Sequence, residues 1–185
     1  MTLPDLKTRI ADLDTADIAH NLGDKGWHIV PRLLGDAQCE ALKADYGRDD
    51  LYRSTVHMQR HGFGRGEYRY FRYPLPDMIQ TLRGTLYPVL AAIANDWWRA
   101  MGRTALFPSR HPDFLAQCAL NGQSRPTPLI LRYGAGDYNC LHQDLYGALH
   151  FPIQVAILLS RPGEEFDGGE FVMTEQRPRM QSRPH

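Results

Sequence analysis

His142 and Asp144 stand two residues apart in the stretch RYGAGDYNCLHQDLYG, residues 132–147. On a β-strand, an i, i+2 spacing places both side chains on one face. A neutral imidazole and a carboxylate on one face supply two of the three donors of a two-histidine, one-carboxylate triad. Such a triad holds Fe(II) and leaves positions open for a co-substrate and O2. The plain alternative is two polar residues at a strand end, and a bare His-x-Asp does not exclude it. Two further candidates are set aside on context. His57 and His61 have the i, i+4 spacing of a helical metal pair, but Gly62, Gly64 and Gly66 follow them and argue for a basic loop. Cys140 reads as packing, not as a nucleophile, and His150 as a loop histidine.

A second feature is chemical by composition. Residues 52–76, YRSTVHMQRHGFGRGEYRYFRYPLP, hold five arginines against one acid, with aromatic residues interleaved. Arginine with aromatic rings is how proteins hold phosphates and stack on bases. The same pattern also suits an ordinary strand with Arg on one face and Tyr on the other. Arg69, Tyr70 and Arg72 are the substrate-contact candidates from this stretch.

The elements that must position these residues follow from periodicity. Residues 1–25 read as an amphipathic helical lead-in, and Trp27–Val30 as a short strand closed by Pro31. Asp36 is the expected N-cap of a helix over 37–46. Glycines 62, 64 and 66 mark a loop leading into a strand near 68–73. Residues 77–101 carry an apolar stripe at the helical period, with Pro88 expected to kink or split the helix. A short helix is expected at Pro112, and a loop at 121–128. Residues 129–133, 153–159 and 170–174 read as strands. Helices first and strands later predicts an α+β domain with an antiparallel sheet, sandwich or barrel in its second half. The expected organisation is one domain over 1–185, with a helical or lid part to about 127 and a core from about 128.

Composition narrows the function. The chain has 185 residues, 21 Lys+Arg and 21 Asp+Glu, hence zero formal net charge. Binding to nucleic acid by bulk charge is therefore excluded, and any such contact must be a local patch. Three cysteines without a close pair read as free thiols in a cytoplasmic protein. No apolar run is long enough to span a membrane, and nothing points to an obligate protein partner.

Four pieces together carry a resemblance. Arg132-Tyr133, the Gly134–Asp137 turn and His142-Gln143-Asp144 are similar to the corresponding segment of the AlkB nucleic-acid dealkylases. Asp167-Gly168-Gly169-Glu170-Phe171 looks more like the prolyl 4-hydroxylase-type branch. Taken whole, the chain resembles bacterial Fe(II)/2-oxoglutarate-dependent dioxygenases linked to alkylated DNA. The resemblance implies a double-stranded β-helix, or jelly roll, with Fe(II), 2-oxoglutarate and O2 at one mouth. It implies that His142 and Asp144 ligate the metal and that Tyr133 hydrogen-bonds 2-oxoglutarate. Alkylated DNA or RNA is the implied substrate. A prolyl-type protein or amino-acid hydroxylase and an inactive jelly-roll module are the rival readings. Two positions depart from the AlkB pattern: Leu131 stands where it has asparagine, and Leu145-Tyr146-Gly147 replaces its acidic residues. The resemblance also calls for a second histidine, and an Arg or Lys for the far carboxylate of 2-oxoglutarate, on later strands. The expectation is thus a chain that stops before its last strands. His185, and Arg177, Arg179 and Arg183, stand as alternatives in a Pro-containing tail.

Overall fold

The computed structural model describes residues 2–144 and 149–174. The helical lead-in is two helices, α1 (Leu3–Ala11) and α2 (Thr15–Lys25). Two N-caps explain the break. Thr2 and Asp5 cap each other reciprocally at α1, and the Asp14 carboxylate accepts from the Ala16 and Asp17 N–H groups at 3.1 and 3.0 Å. Trp27–Val30, expected as a strand, pairs with nothing in a ladder among the described residues. The next helix, α3, is Asp36–Asp45 and starts one residue early: Gly35 is the N-cap, and its N–H donates to Gln38 Oε1 at 3.0 Å.

The long helix α4 (Asp77–Ala100) is continuous through Pro88. Pro88 lacks the N–H that would bond the Gly84 carbonyl, but packing holds the helix on both sides of it. Leu82 and Leu86 bury with Leu6, Ile10, Leu34 and Leu42. Tyr87, Ala91 and Ala94 bury with Phe107, Phe114 and Cys118. Tertiary burial at this scale outweighs one lost backbone bond. Helix α5 (His111–Leu120) starts where Pro112 suits its first turn.

Five strands are present among the described residues: β1 (Tyr52–His57), β2 (Gly64–Arg65), β3 (Glu67–Phe71), β4 (Leu129–Arg132) and β5 (Tyr138–Asn139). They form an antiparallel sheet of order β1-β3-β4 and an antiparallel ribbon of β2 with β5. The order of helices first and strands later therefore needs correcting. Two strands of the main sheet precede α4, and β4 returns from beyond residue 127 to pair with β3. Register places Val56, Tyr68 and Leu131 on one face, and Thr55, Arg69 and Ile130 on the other. The second face meets the core: Phe71 and Ile130 bury with Tyr46, Tyr52 and Leu75.

The expected strands at 153–159 and 170–174 are not strands among the described residues. A strand exists only where a neighbour accepts its ladder bonds, and among the described residues none lies alongside. Their side chains pack nonetheless. Ile153 lies against the Tyr87–Phe114 cluster, and Leu159 against both other clusters.

Candidate functional site

β4 delivers Tyr133 and then a tight turn. The Gly134 N–H donates to Asp137 Oδ2 at 2.8 Å, and the Asp137 N–H donates back to the Gly134 carbonyl at 3.1 Å. The chain then enters β5, which is clamped by the loop before β3. The Cys140 N–H donates to the Phe63 carbonyl at 2.8 Å. Two glycines permit this approach. At Gly64 (φ +123°) a Cβ would stand 2.2 Å from the Tyr138 carbonyl oxygen. At Gly66 it would stand 2.9 Å from the Tyr133 ring.

His142 and Asp144 come together, though not on a strand as the spacing expects; residues 142–144 have no ladder partner. Local hydrogen bonds replace strand alternation. His142 Nδ1 lies 2.8 Å from the Cys140 carbonyl oxygen, and Nε2 lies 3.4 Å from Asp144 Oδ1. Gln154 donates to Asp144 Oδ2 at 2.9 Å. A carbonyl only accepts, so Nδ1 carries the hydrogen in this arrangement. In the neutral ring, Nε2 then turns a lone pair toward a carboxylate oxygen. Two acceptors face each other, an arrangement relieved by a proton or by a cation bound between them. The donor set, one imidazole nitrogen and one carboxylate oxygen with second-atom partners on both, suits a divalent transition metal. Among the described residues, no third His, Cys, Asp or Glu completes a cluster. His185 and Arg177, Arg179 and Arg183 lie outside the described residues, as do Leu145-Tyr146-Gly147.

Tyr133 lies against Gly66 and hydrogen-bonds the Asn139 side chain. Partial burial raises the phenol above its ordinary pKa, against the lowering effect of Asn139. Tyr133 is therefore a protonated donor at neutral pH.

The three substrate-contact candidates are not brought together. Arg69 is on the core face. Its guanidinium stands 5.0 and 5.3 Å from the Tyr46 and Tyr52 ring centroids, and it donates to Asp49 Oδ1 at 2.7 Å and to the Tyr46 carbonyl at 3.0 Å. Tyr70 is on the opposite face, with the Arg53 guanidinium 4.3 Å from its ring centroid. Arg72 follows β3 and is exposed. Cys140, read as packing, is exposed, with Sγ 3.8 Å from the Gly62 carbonyl oxygen. His57 and His61 do not pair: His57 faces Glu67 at 3.3 Å, and His61 stacks on Phe63 at 5.3 Å.

Sequence reading missed Glu67. Its carboxylate takes the Arg132 guanidinium at 2.6 Å, the Tyr46 hydroxyl at 2.8 Å and His57. Burial first, and this hydrogen bond second, push the Tyr46 phenol far above its ordinary pKa. Glu67, Arg132 and His57, with Gly66, Gly134 and Asp137, line a cleft of about 290 Å³. Its residues come from separate stretches of chain, so no local spacing announces it.

The described residues thus offer an imidazole–carboxylate pair, a protonated tyrosine and, lined by other residues, a polar cleft at the ends of β1, β3 and β4. Residues 66–185 match the model of the Oxygenase-NA family, described as "Oxygenase, catalysing oxidative methylation of damaged DNA", and the chain belongs to that oxygenase family. It is also 52% identical over 113 residues to two uncharacterised proteins of Mycobacterium tuberculosis, MT2286 of strain CDC 1551 and Rv2227 of strain H37Rv. Each match covers 61% of this chain and 48% of the relative, so the chain spans about half the length of these curated relatives. No solved structure matches it. No helix among the described residues is long and apolar enough to cross a membrane.

Proposed function

We propose that the chain is the Fe(II)- and 2-oxoglutarate-binding part of a dioxygenase that oxidatively dealkylates damaged nucleic acid in the cytoplasm. The observation that carries this reading is the His142–Asp144 pair within a chain of the oxygenase family. His142 Nδ1 is committed to the Cys140 carbonyl, which leaves Nε2 beside the Asp144 carboxylate. His142 Nε2 and Asp144 Oδ1 would hold the iron. Gln154 keeps the other Asp144 oxygen occupied and so fixes the carboxylate's orientation. Tyr133 donates its phenolic hydrogen to anionic 2-oxoglutarate. Bound iron with its co-substrate supplies oxidation of a C–H bond by O2, while 2-oxoglutarate becomes succinate and CO2. Oxidation of an N-methyl carbon releases it as formaldehyde. An oxidation of this kind removes a methyl group and supplies none, so we read the family's damaged-DNA chemistry as dealkylation.

We further propose that the sheets belong to a jelly roll. The face bearing Val56, Tyr68, Tyr70, Leu129 and Leu131 supports this. It is apolar and aromatic, yet Leu131 is 44% exposed, as suits a sheet built to meet a second layer.

The test uses the full chain. Mn(II) with 2-oxoglutarate at about a hundred times its Kd should raise the melting temperature by roughly 5–10 °C. Succinate release should require N-methylated single-stranded DNA, and His142→Ala should lower it at least about 100-fold. Turnover with prolyl peptides instead, or undiminished turnover in His142→Ala, would overturn the proposal.

A further inference from the structure

The loop between β1 and β3 is not accounted for by the metal and co-substrate residues. Residues 58–66, MQRHGFGRG, contain two arginines and no acid. The loop is firmly built. The Met58 N–H donates to the Gly66 carbonyl at 3.0 Å and closes its base, the Phe63 N–H donates to the Met58 carbonyl at 3.2 Å, and the Met58 side chain is fully buried. Its tip pairs with β5, Gly64 opposite Asn139 and Arg65 opposite Tyr138.

What this ribbon shows to solvent is unusual for a surface loop. Phe63 is 46% exposed and Tyr138 is 55% exposed. His61 stacks on Phe63 with an interplanar angle of 22°. Arg60 and Arg65 are exposed, and among the described residues neither forms an ion pair. The nearest acid in sequence, Glu67, is already taken by Arg132, Tyr46 and His57. Arg65 and Tyr138, being directly opposite in register, leave the ribbon on the same face. Exposed rings between unpaired guanidinium groups match a strand whose bases are unstacked and whose phosphates are evenly spaced. A duplex hides its base faces and offers such rings nothing to stack on.

One residue links this surface to the proposed metal site. The Cys140 N–H holds the loop at Phe63, and the Cys140 carbonyl holds the His142 imidazole. A strand seated on the ribbon is therefore set at a fixed offset from His142.

We infer that the 58–66 loop and β5 form a grip for single-stranded nucleic acid, with Phe63 and Tyr138 stacking on bases and Arg60 and Arg65 neutralising phosphates. The inference rests on the reading of the chain as acting on nucleic acid, and it names the surface that takes the strand.

The test measures fluorescence anisotropy of a labelled single-stranded oligonucleotide with the full chain, in the absence of iron and 2-oxoglutarate. Phe63→Ala and Tyr138→Ala should each weaken binding about ten- to hundredfold. Phe63→Leu should weaken it similarly, because it keeps an apolar side chain and removes the ring. Arg60→Ala with Arg65→Ala should flatten the slope of log K against log salt by about 1.4, or about 0.7 per phosphate lost. Each variant should melt within about 2 °C of the parent. Binding unchanged in folded Phe63→Leu would overturn the inference. So would equal binding of duplex DNA or heparin, which would mark a general polyanion surface. Binding is read without iron or turnover, so failure of the dioxygenase chemistry would leave these results standing, and the reverse.

Discussion

At the residue scale, Glu67 shows what spacing does not reveal. Its side chain is only 17% exposed, and it gathers Tyr46 from the end of α3, His57 from β1 and Arg132 from β4. Each partner is remote or unremarkable in sequence, and only the fold makes them neighbours. Arg69 makes the complementary case. The alternation of arginine and tyrosine in 67–72 reads equally as a nucleic-acid surface or as a two-faced strand. Register puts Arg69 inward with Phe71, and Tyr68 and Tyr70 outward. An inward arginine is tolerable because two tyrosine rings, Asp49 and a backbone carbonyl receive its charge. Glu67→Gln removes the charge that Arg132 and His57 face while keeping the shape. A charge-assisted hydrogen bond contributes about 1.5–3 kcal/mol, so the variant should melt roughly 3–12 °C below the parent. Because Arg132 precedes Tyr133, the same variant should weaken 2-oxoglutarate binding more than Mn(II) binding. A melt indistinguishable from the parent would show that the cluster adds nothing to stability.

At the element scale, legibility followed burial. α4 and β4 were readable because each presents one clear stripe or run to a core, and α5 because Pro112 suits a first turn. β1 was not, because it lies in the arginine-rich stretch and pairs with β3 through a bulge between Tyr52 and Ser54. The strands read at 153–159 and 170–174 have strand composition, but composition supplies no pairing partner. The His-x-Asp spacing was visible, but strand alternation is not what joins the two residues; the Cys140 carbonyl and Gln154 are. That junction depends on the β2–β5 ribbon, so a backbone change in the ribbon should be felt at the metal pair. Gly64→Ala would place a methyl group 2.2 Å from a ladder carbonyl, at a φ that disfavours side chains. Gly62→Ala meets nothing within 4 Å and carries only the cost of its positive φ, about 1–2 kcal/mol. We expect Gly64→Ala to lower Mn(II) affinity about 10–100-fold, as loss of a supporting contact does, and Gly62→Ala to leave it within about twofold. Electron paramagnetic resonance titration of Mn(II) measures both. Equal effects from the two substitutions would separate the ribbon from the site.

At the scale of the whole molecule, the described residues form three apolar clusters joined by α4, and one of them encloses a titratable group. His111 opens α5, is 6% exposed and lies against the Tyr87 ring at 5.2 Å. Burial first, and the nearby Arg83 charge second, lower its pKa from 6.5 to about 4. The start of a helix also disfavours a cation there. The folded chain therefore binds fewer protons at this site than the unfolded chain does between those two values. Its neutral imidazole is fully accommodated above about pH 6.5, and stability is lost as pH falls toward about 4. The slope from this one group is about 1.4 kcal/mol per pH unit, or about 2 kcal/mol by about pH 5. Urea unfolding at about pH 7 and about pH 5 should show this loss as a lower midpoint with little change in slope. His111→Phe keeps a ring against Tyr87 and removes the titrating nitrogen, so its midpoint should fall much less over the same interval. An equal fall in parent and variant would assign the acid sensitivity to surface carboxylates instead of this core. The zero formal net charge of the chain makes the comparison clean, because overall charge repulsion is small at the upper pH.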